Sequence, residues 1–264
     1  MSRPGGRTPP LLVALGALGA ALFVVPLVGL LGVAPWSSLA DLLGDGVVVD
    51  ALVLSLVTSL SAAAASVVLG VPLAWLLARC RFPGRSLLRA IVTLPMVLPP
   101  VVGGGALLFS LGRRGLVGEP LEAATGIVLP FSTAGVVLAN TFVAMPFLVI
   151  TVDAALRGLD GRHEAAAETL GASRLTVARR VTLPMIAPAV KAGAVLAWAR
   201  AFGEFGATVT FAGNLRGRTQ TLPLAVFVAL DGDRDAAVAI SLLMVAVSPL
   251  VLLVLRDRWW GTSR

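Results

Sequence analysis

Two charged residues, Arg200 and Glu204, interrupt an apolar run and are the first candidates for chemistry in this sequence. Since they are four residues apart, a helix places both side chains on one face, where they can pair with each other. If the run crosses a membrane, each charge costs roughly 2.5–3.5 kcal/mol on insertion scales, so both side chains should face protein or water. The pair therefore predicts a structural or gating role, with direct contact to a substrate as the alternative.

Small and polar residues continue along the same run, which has the sequence WARAFGEFGATVTFAGN over residues 198–214. Gly206 permits the close approach of a second backbone beside the glutamate. The hydroxyl groups of Thr208 and Thr210 and the amide of Asn214 follow it. We expect these residues to line or gate a translocation pathway.

The sequence lacks the residue clusters on which enzymes depend. An intramembrane protease or transferase needs a nucleophile with a base, paired aspartates or a metal cluster within the apolar runs, and none occurs. One histidine, His163, and one cysteine, Cys80, cannot make a zinc site of the usual kind within one chain. The phosphate-binding motif GxxxxGK[ST] is also missing. We therefore expect neither catalysis nor a bound cofactor, and energy has to come from a partner or an ion gradient.

The composition is that of a polytopic membrane protein, with 57% hydrophobic and 13% charged residues in 264. A span needs roughly 20 apolar residues to cross about 30 Å of hydrocarbon. The chain is expected to form one membrane domain over residues 1–264. Six stretches meet the required length, at about 11–33, 51–77, 87–111, 133–152, 187–211 and 236–255.

The basic residues define an orientation. With the N-terminus in the cytoplasm and the sides alternating, 15 Lys and Arg residues lie inside, five lie outside and Arg200 falls within a span. This bias follows the positive-inside rule and predicts that both termini are cytoplasmic. The net charge of +7 is thus explained by topology rather than by binding to nucleic acid, because the basic residues lie at the ends of apolar runs.

Three local features have their own interpretations. The first run follows Arg3 and Arg7 and is either a signal peptide or a retained helix; its length favours the helix. The third run contains TLPMVLPPVVGGG, which predicts either a pathway lining or close helix packing through small residues. Trp259 and Trp260 are typical of an anchor at the membrane interface.

A polar, Arg-rich island lies between the fourth and fifth runs, in a loop over residues 153–190 that the orientation places in the cytoplasm. Its centre has the sequence EAAAETLGASRLTVARRVTLP over residues 164–184. Taken alone, this island is also compatible with a solvated amphipathic loop between two membrane helices.

The island predicts a pair of short helices. They are expected at residues 164–170 and 174–182, on either side of Gly171, which can adopt the left-handed backbone conformation that ends a helix. Pro184 and Pro188 are then expected to bend the chain back towards the membrane.

This island resembles the EAA loop of ABC-importer permeases. In those families a pair of small residues is followed four positions later by a Gly and then by a hydrophobic-x-Leu-Pro ending. Aligned on Gly171 and Pro184, the Ala pair of the family falls on Ala166 and Ala167, and its Glu falls on Ala165.

The acidic residues of the island are instead Glu164 and Glu168. They lie four apart on one helix face, so a carboxylate can still be offered to a partner. The resemblance implies that these glutamates, the alanines between them, Gly171 and Pro184 couple the chain to a separate ATPase.

The fifth apolar run resembles one particular branch of the ABC-importer permeases. The sequence RAFGEFGATVTFAGN, followed by RTQTLPL over residues 218–224, resembles the molybdate permease family and its relatives that move sulfate and thiosulfate. The resemblance covers most of the chain from about Asp50 and is strongest between Asp153 and Pro223. It implies the ABC type I importer permease fold, an all-α integral membrane protein with six transmembrane helices and both termini cytoplasmic.

The same resemblance implies an assembly with a second permease copy, two cytoplasmic ABC ATPase subunits, an extracytoplasmic substrate-binding protein and the lipid bilayer. ATP would be bound by the ATPase, and this chain would hold no cofactor or metal and no nucleic acid. The implied cargo is molybdate, with sulfate, thiosulfate or tungstate as alternatives because all are tetrahedral dianions. A carrier driven by an ion gradient is a further alternative, for which Glu204 is the carboxylate nearest the midplane.

Overall fold

A computed structural model describes residues 9–256, and every regular element in that range is a helix. The all-α prediction is confirmed for these residues, while Trp259 and Trp260 lie outside them. The helices are α1 (Pro10–Gly32), α2 (Leu39–Gly44), α3 (Gly46–Arg79), α4 (Arg85–Thr93), α5 (Pro100–Leu111), α6 (Gly118–Thr125), α7 (Thr133–Gly158), α8 (Arg162–Thr169), α9 (Arg174–Val177), α10 (Leu183–Phe202), α11 (Gly206–Phe211), α12 (Leu222–Leu230) and α13 (Arg234–Arg256). A 3-10 turn, Leu94–Met96, follows α4, and a π-helical turn, Ala178–Thr182, joins α9 to α10.

Within the described residues, four helices are long and apolar enough to cross a membrane. They are α1, α3, α7 and the continuous helix Arg174–Phe202, and a fifth span is present if the bent pair formed by α4 and α5 counts as one. At the position of the sixth predicted span, α13 is a helix of 23 residues. The total of six spans stays a prediction.

The core is formed by α3, α7 and α10, which pack side by side. Leu148 of α7 is fully buried between two glycines. A Cβ added at Gly70 of α3 would lie 2.9 Å from Leu148 Cδ2, and one added at Gly193 of α10 would lie 3.1 Å from Leu148 Cα. Such small residues let helices approach closely enough for van der Waals packing to hold them together in lipid.

The third predicted span, 87–111, is a bent pair of helices, in keeping with the prolines and glycines inside it. The helical segments Arg85–Met96 and Pro100–Leu111 are bent by 117° at the break between them. Pro99 and Pro100 cause this break, because neither has a backbone N–H and each disfavours helical conformation in the preceding residue. Pro100 then begins α5, in the first turn of a helix, where the missing N–H is not needed.

The fifth predicted span begins earlier than expected. The helix Arg174–Phe202 runs for 29 residues without interruption, so Pro184 and Pro188 do not bend the chain as predicted. In the π-helical turn, the N–H of Leu183 bonds to a carbonyl five residues earlier. This wider turn makes room for the ring of the following proline, which would clash with a regular preceding turn.

Two short stretches next to helix breaks, in α5 and α11, pack directly against each other. A Cβ added at Gly104 would lie 2.7 Å from the carbonyl oxygen of Ala207 and 2.9 Å from Thr210 Cβ. A Cβ added at Gly206 would lie 3.0 Å from Pro100 Cβ. The third run was predicted either to line a pathway or to pack closely through small residues. Gly104 shows the close packing, because it lies directly against α11.

This close approach yields a test with a matched control in the same helix. We expect Gly104→Ala to lower the free energy of unfolding by about 1–3 kcal/mol, because the new methyl group collides with the backbone of α11. Gly105→Ala is the control, since its Cβ would meet nothing nearer than Phe109 Cε2 at 4.0 Å. Thermal unfolding in detergent, followed by tryptophan fluorescence, measures both. Equal melting temperatures for the two variants would contradict the packing described above.

Candidate functional site

The break between α10 and α11, residues 203–205, holds the buried charge of the fifth run. Glu204 lies in this break, between two helices, and not on the same helix face as Arg200. The pair nevertheless forms, with Arg200 Nη1 2.6 Å from Glu204 Oε2 and side-chain exposures of 27% and 1%. The other carboxylate oxygen, Oε1, accepts a hydrogen bond of 2.7 Å from the N–H of Ala207. One carboxylate thus neutralises the arginine and satisfies an N–H that the first turn of α11 leaves free.

Two hydroxyl groups of α11 are engaged within the chain. Thr208 Oγ1 donates to Asn140 Oδ1 of α7 at 3.2 Å, and both side chains are buried. Thr210 Oγ1 donates to the carbonyl of Gly206 at 2.8 Å. Asn214 follows α11, and its Oδ1 is buried with no hydrogen-bond partner among the described residues. The structure thus brings the predicted pathway residues together around α11 and adds Asn140, which no sequence pattern indicated.

The Arg-rich island forms two helices joined by a turn at Gly171, as the sequence predicted. The backbone of Gly171 is left-handed, with φ of 84°. Its N–H bonds to the carbonyl of Glu168, and the N–H of Ala172 bonds to the carbonyl of Ala167. This is the Schellman pair of bonds that closes the C-terminus of a helix. Ser173 then caps α9 with its side-chain oxygen.

The two glutamates of α8 have different environments. Glu164 faces the chain, where its carboxylate lies 3.2 Å from Arg79 Nη1 at the end of α3. Its Oε1 also accepts hydrogen bonds from Arg79 Nη2 at 3.2 Å and from Thr182 Oγ1 at 2.6 Å. Glu168 is exposed and forms no salt bridge within residues 9–256. Of the two, only Glu168 has its carboxylate available to another protein.

Large apolar side chains stand out from the same turn. Leu170 is 88% exposed and Leu175 is 64% exposed. In the alanine triplet 165–167 the first two residues are exposed and the third is half-buried, and Pro184 is exposed at the start of α10. Leu170, Leu175 and the predicted coupling residues thus share one exposed, partly apolar surface at this turn.

Another cluster of charged residues caps the C-terminal end of α3, next to the island. Asp153 of α7 pairs with Arg89 of α4 at 3.1 Å and with Arg157 at 3.0 Å. Both arginines also donate to the carbonyl of Leu77, at 3.0 Å and 3.1 Å. The last carbonyls of a helix lack partners within it and carry partial negative charge, so guanidinium groups are well placed there. The i, i+4 spacing of Asp153 and Arg157 was the one sequence signal for this cluster.

The residues predicted to couple to an ATPase and those predicted to line or gate a pathway form two separate groups. The first lies at α8, α9 and the start of α10, and the second lies around α11 and the break before it. The helix Arg174–Phe202 connects them.

Comparison with known families identifies this architecture. The family described as "Binding-protein-dependent transport system inner membrane component" matches residues 70–259, which include both groups. The chain belongs to this family. The permease is therefore a multi-pass protein of the cell membrane and a non-catalytic component of a transport system.

Curated relatives of the permease are similar over nearly the whole chain. The "Molybdenum transport system permease protein ModB" of Mycobacterium tuberculosis is 49% identical over 245 residues, covering 92% of each chain. ModB of Escherichia coli is 44% identical over 207 residues, covering 78% of this chain and 90% of that protein. The "Sulfate transport system permease protein CysT" of Salmonella typhimurium is 38% identical, covering 82% of this chain and 78% of that protein.

Solved structures share the fold of the permease. A bacterial ABC transporter that imports the acidic polysaccharide alginate aligns with a TM-score of 0.76 at 19% identity, covering 96% of each chain. A second structure of a bacterial alginate ABC transporter, in complex with a periplasmic protein bound to an alginate pentasaccharide, aligns with a TM-score of 0.73 at 20% identity and covers 93% of this chain and 92% of that one.

The buried pair at the helix break predicts an asymmetric response to mutation. Arg200→Met leaves the carboxyl group of Glu204 buried without its charged partner, so we expect the free energy of unfolding to fall by roughly 2–4 kcal/mol. Arg200→Met combined with Glu204→Gln removes both charges, and the amide oxygen can still accept from Ala207, so most of the loss should be recovered. Melting temperatures of the purified variants in detergent measure this difference. A double variant less stable than Arg200→Met would count against the pairing.

Proposed function

We propose that the chain is the transmembrane subunit of an ATP-driven importer that moves molybdate across the cell membrane. The observation that carries this proposal is the 49% identity to a molybdenum transport permease over 92% of both chains. The sulfate permease relative, at 38% identity, supports sulfate or thiosulfate as the second candidate cargo in the same kind of machine. Tungstate, which has the size and charge of molybdate, belongs with these candidates.

The proposed assembly contains two copies of this chain, two cytoplasmic ATPase subunits and an extracytoplasmic binding protein. No residue of α1 is buried, so most of its surface is available to lipid or to the second copy. The structural neighbour that contains a periplasmic protein supports the binding-protein partner. ATP binds to the ATPase subunits in this proposal, and both termini of the permease are cytoplasmic, as the distribution of basic residues predicts.

Coupling to the ATPase takes place at the turn between α8 and α9. Leu170 and Leu175 provide exposed apolar anchors, and Glu168 provides a free carboxylate beside them. Buried anchors surrounded by polar contacts are the usual basis of affinity between proteins. The alanine triplet 165–167, with side chains of one carbon, lets the ATPase surface come close to the helix backbone.

Transport proceeds through changes of shape without a chemical step. ATP binding closes the ATPase subunits, the two coupling turns move with them, and the two permeases change from inward-open to outward-open. In this proposal the oxyanion passes neutral polar groups such as the amide of Asn214, which bind oxygen without the tight hold of a fixed cation. The hydroxyl protons of Thr208 and Thr210 stay engaged with Asn140 and Gly206. Glu204 repels a dianion, so we assign Arg200 and Glu204 to holding the helix break at the gate together.

The cargo is tested by uptake into proteoliposomes. We expect ATP-dependent uptake of labelled molybdate when the vesicles contain this chain with its co-purified ATPase and the binding protein. Uptake should persist in excess sulfate, since a molybdate system must discriminate by anion size. Uptake abolished by sulfate would transfer the assignment to the sulfate branch. Uptake without any ATPase would refute the ATP-driven mechanism.

The turn between the coupling helices provides a second test. Gly171→Val places a β-branched residue at a positive φ, which costs about 1–2 kcal/mol or more for an L-residue, so the turn should rearrange. We expect molybdate uptake to fall severalfold while the protein still inserts and stays monodisperse in detergent. Gly161→Val is the control, because Gly161 has a φ of −64° and an added Cβ there meets nothing within 4 Å. Wild-type uptake by Gly171→Val would contradict the role of this turn.

A further inference from the structure

Three elements meet at the carboxylate of Glu164. α8 carries it, Arg79 at the last residue of α3 forms two contacts of 3.2 Å to it, and Thr182 before α10 donates at 2.6 Å. Both oxygens of the carboxylate are therefore engaged inside the chain. The pair is partly shielded from water, with side-chain exposures of 31% for Arg79 and 19% for Glu164.

We propose that Arg79 is a positioning residue for coupling, which holds α8 to the end of α3 so that the coupling turn and the core of the membrane domain move together. This inference rests on the proposed function of α8 as the element that contacts the ATPase. Under this proposal, the two glutamates of the island have different roles. Glu164 transmits motion within the chain, and Glu168 remains for contact with the ATPase.

The carboxylate of Glu164 gives α8 two side-chain attachments to the core, one to Arg79 and one to Thr182. Without Arg79, the side chain of Glu164 would hold α8 to the described core through Thr182 alone, beside the covalent connections of α8 to α7 through residues 159–161 and to α9 through the turn at Gly171. With Arg79, displacement of α8 acts on α10 and α3 at once, and these two helices pack with α7 in the main hydrophobic cluster.

The effect on α3 extends well beyond its cytoplasmic end. α3 is continuous for 34 residues. Ser55, 24 residues before Arg79 and thus about 36 Å away along a helix, accepts a hydrogen bond of 2.7 Å from the N–H of Leu222 at the start of α12. A shift imposed at Arg79 therefore reaches a contact near the opposite end of the same helix.

A distance measurement tests this attachment independently of the cargo. Spin labels are placed on the exposed native thiol of Cys80, next to Arg79, and on His163→Cys, next to Glu164. In the assembled complex with ATPase, each permease copy carries one pair of labels, and we expect the distance within a copy to have a narrow distribution that is the same with and without ATP. Arg79→Gln should broaden it, and Arg79→Lys should keep it narrower than Arg79→Gln.

Transport supplies the second readout. We expect Arg79→Gln to reduce the molybdate imported per ATP hydrolysed by about two- to fivefold, the scale of effect for a partly exposed ion pair. The exchanged pair Arg79→Glu with Glu164→Arg should recover part of this ratio. Glu168→Arg is the matched control on α8, and it should reduce co-purification of the ATPase while leaving the distance distribution narrow.

The outcomes separate the two proposals. A distribution equally narrow in Arg79→Gln and in the wild type would overturn the inference, and so would a loss that neither Arg79→Lys nor the exchanged pair recovers. If the wild-type complex imports no molybdate, the proposed cargo fails, and the spin-label distances still decide the role of Arg79.

Discussion

Inside a membrane, every backbone N–H and C=O must find a partner within the protein, and this constraint governs both interrupted spans of the permease. The chain breaks before Pro100 and again at residues 203–205, where hydrogen bonds of a regular helix are lost. The two breaks lie next to each other, because α5 packs against α11. Glu204 accepts the N–H of Ala207, and Gly104 lets α5 lie against the backbone of α11.

The same constraint explains the charges at the other end of the core. α3 ends with carbonyls that no residue of the helix can satisfy, and Arg89 and Arg157 donate to the carbonyl of Leu77. Asp153 holds both guanidinium groups in place. Basic residues that the positive-inside rule explains as topology signals thus also serve as helix caps and as links between α3, α4 and α7.

Much of this arrangement was predictable from local sequence. The left-handed turn at Gly171 follows from glycine between two helical stretches, and the pairing of Arg200 with Glu204 follows from the cost of burying either alone. The bend near Pro99 and the unbroken helix through Pro184 and Pro188 were harder to predict from the sequence. Proline has the same local chemistry in each case, and the outcome depends on whether the turn before it can widen.

Contacts between distant parts of the chain could not be predicted from a single sequence. Nothing in the spacing of Asn140 or Thr182 marks either as the partner of Thr208 or Glu164, because those pairs are separated by 68 and 18 residues and are created by packing. The same holds for Arg79, which lies near Arg81 and Arg85 in the sequence and is not distinguished from them by any local pattern. Its partner lies 85 residues further along the chain.

The uninterrupted helix from Arg174 to Phe202 has a mechanical consequence. Its 29 residues span about 43 Å at a rise of about 1.5 Å per residue, so it acts as a stiff lever between the coupling turn and the break at Glu204. If the helix tilts by about 5° about one end, the other end moves by about 4 Å over this length. A movement of this size is enough to break a hydrogen bond or an ion pair. In the proposed mechanism, a small rotation of this helix at the coupling turn would therefore be sufficient to open or close a passage of atomic dimensions beside Glu204.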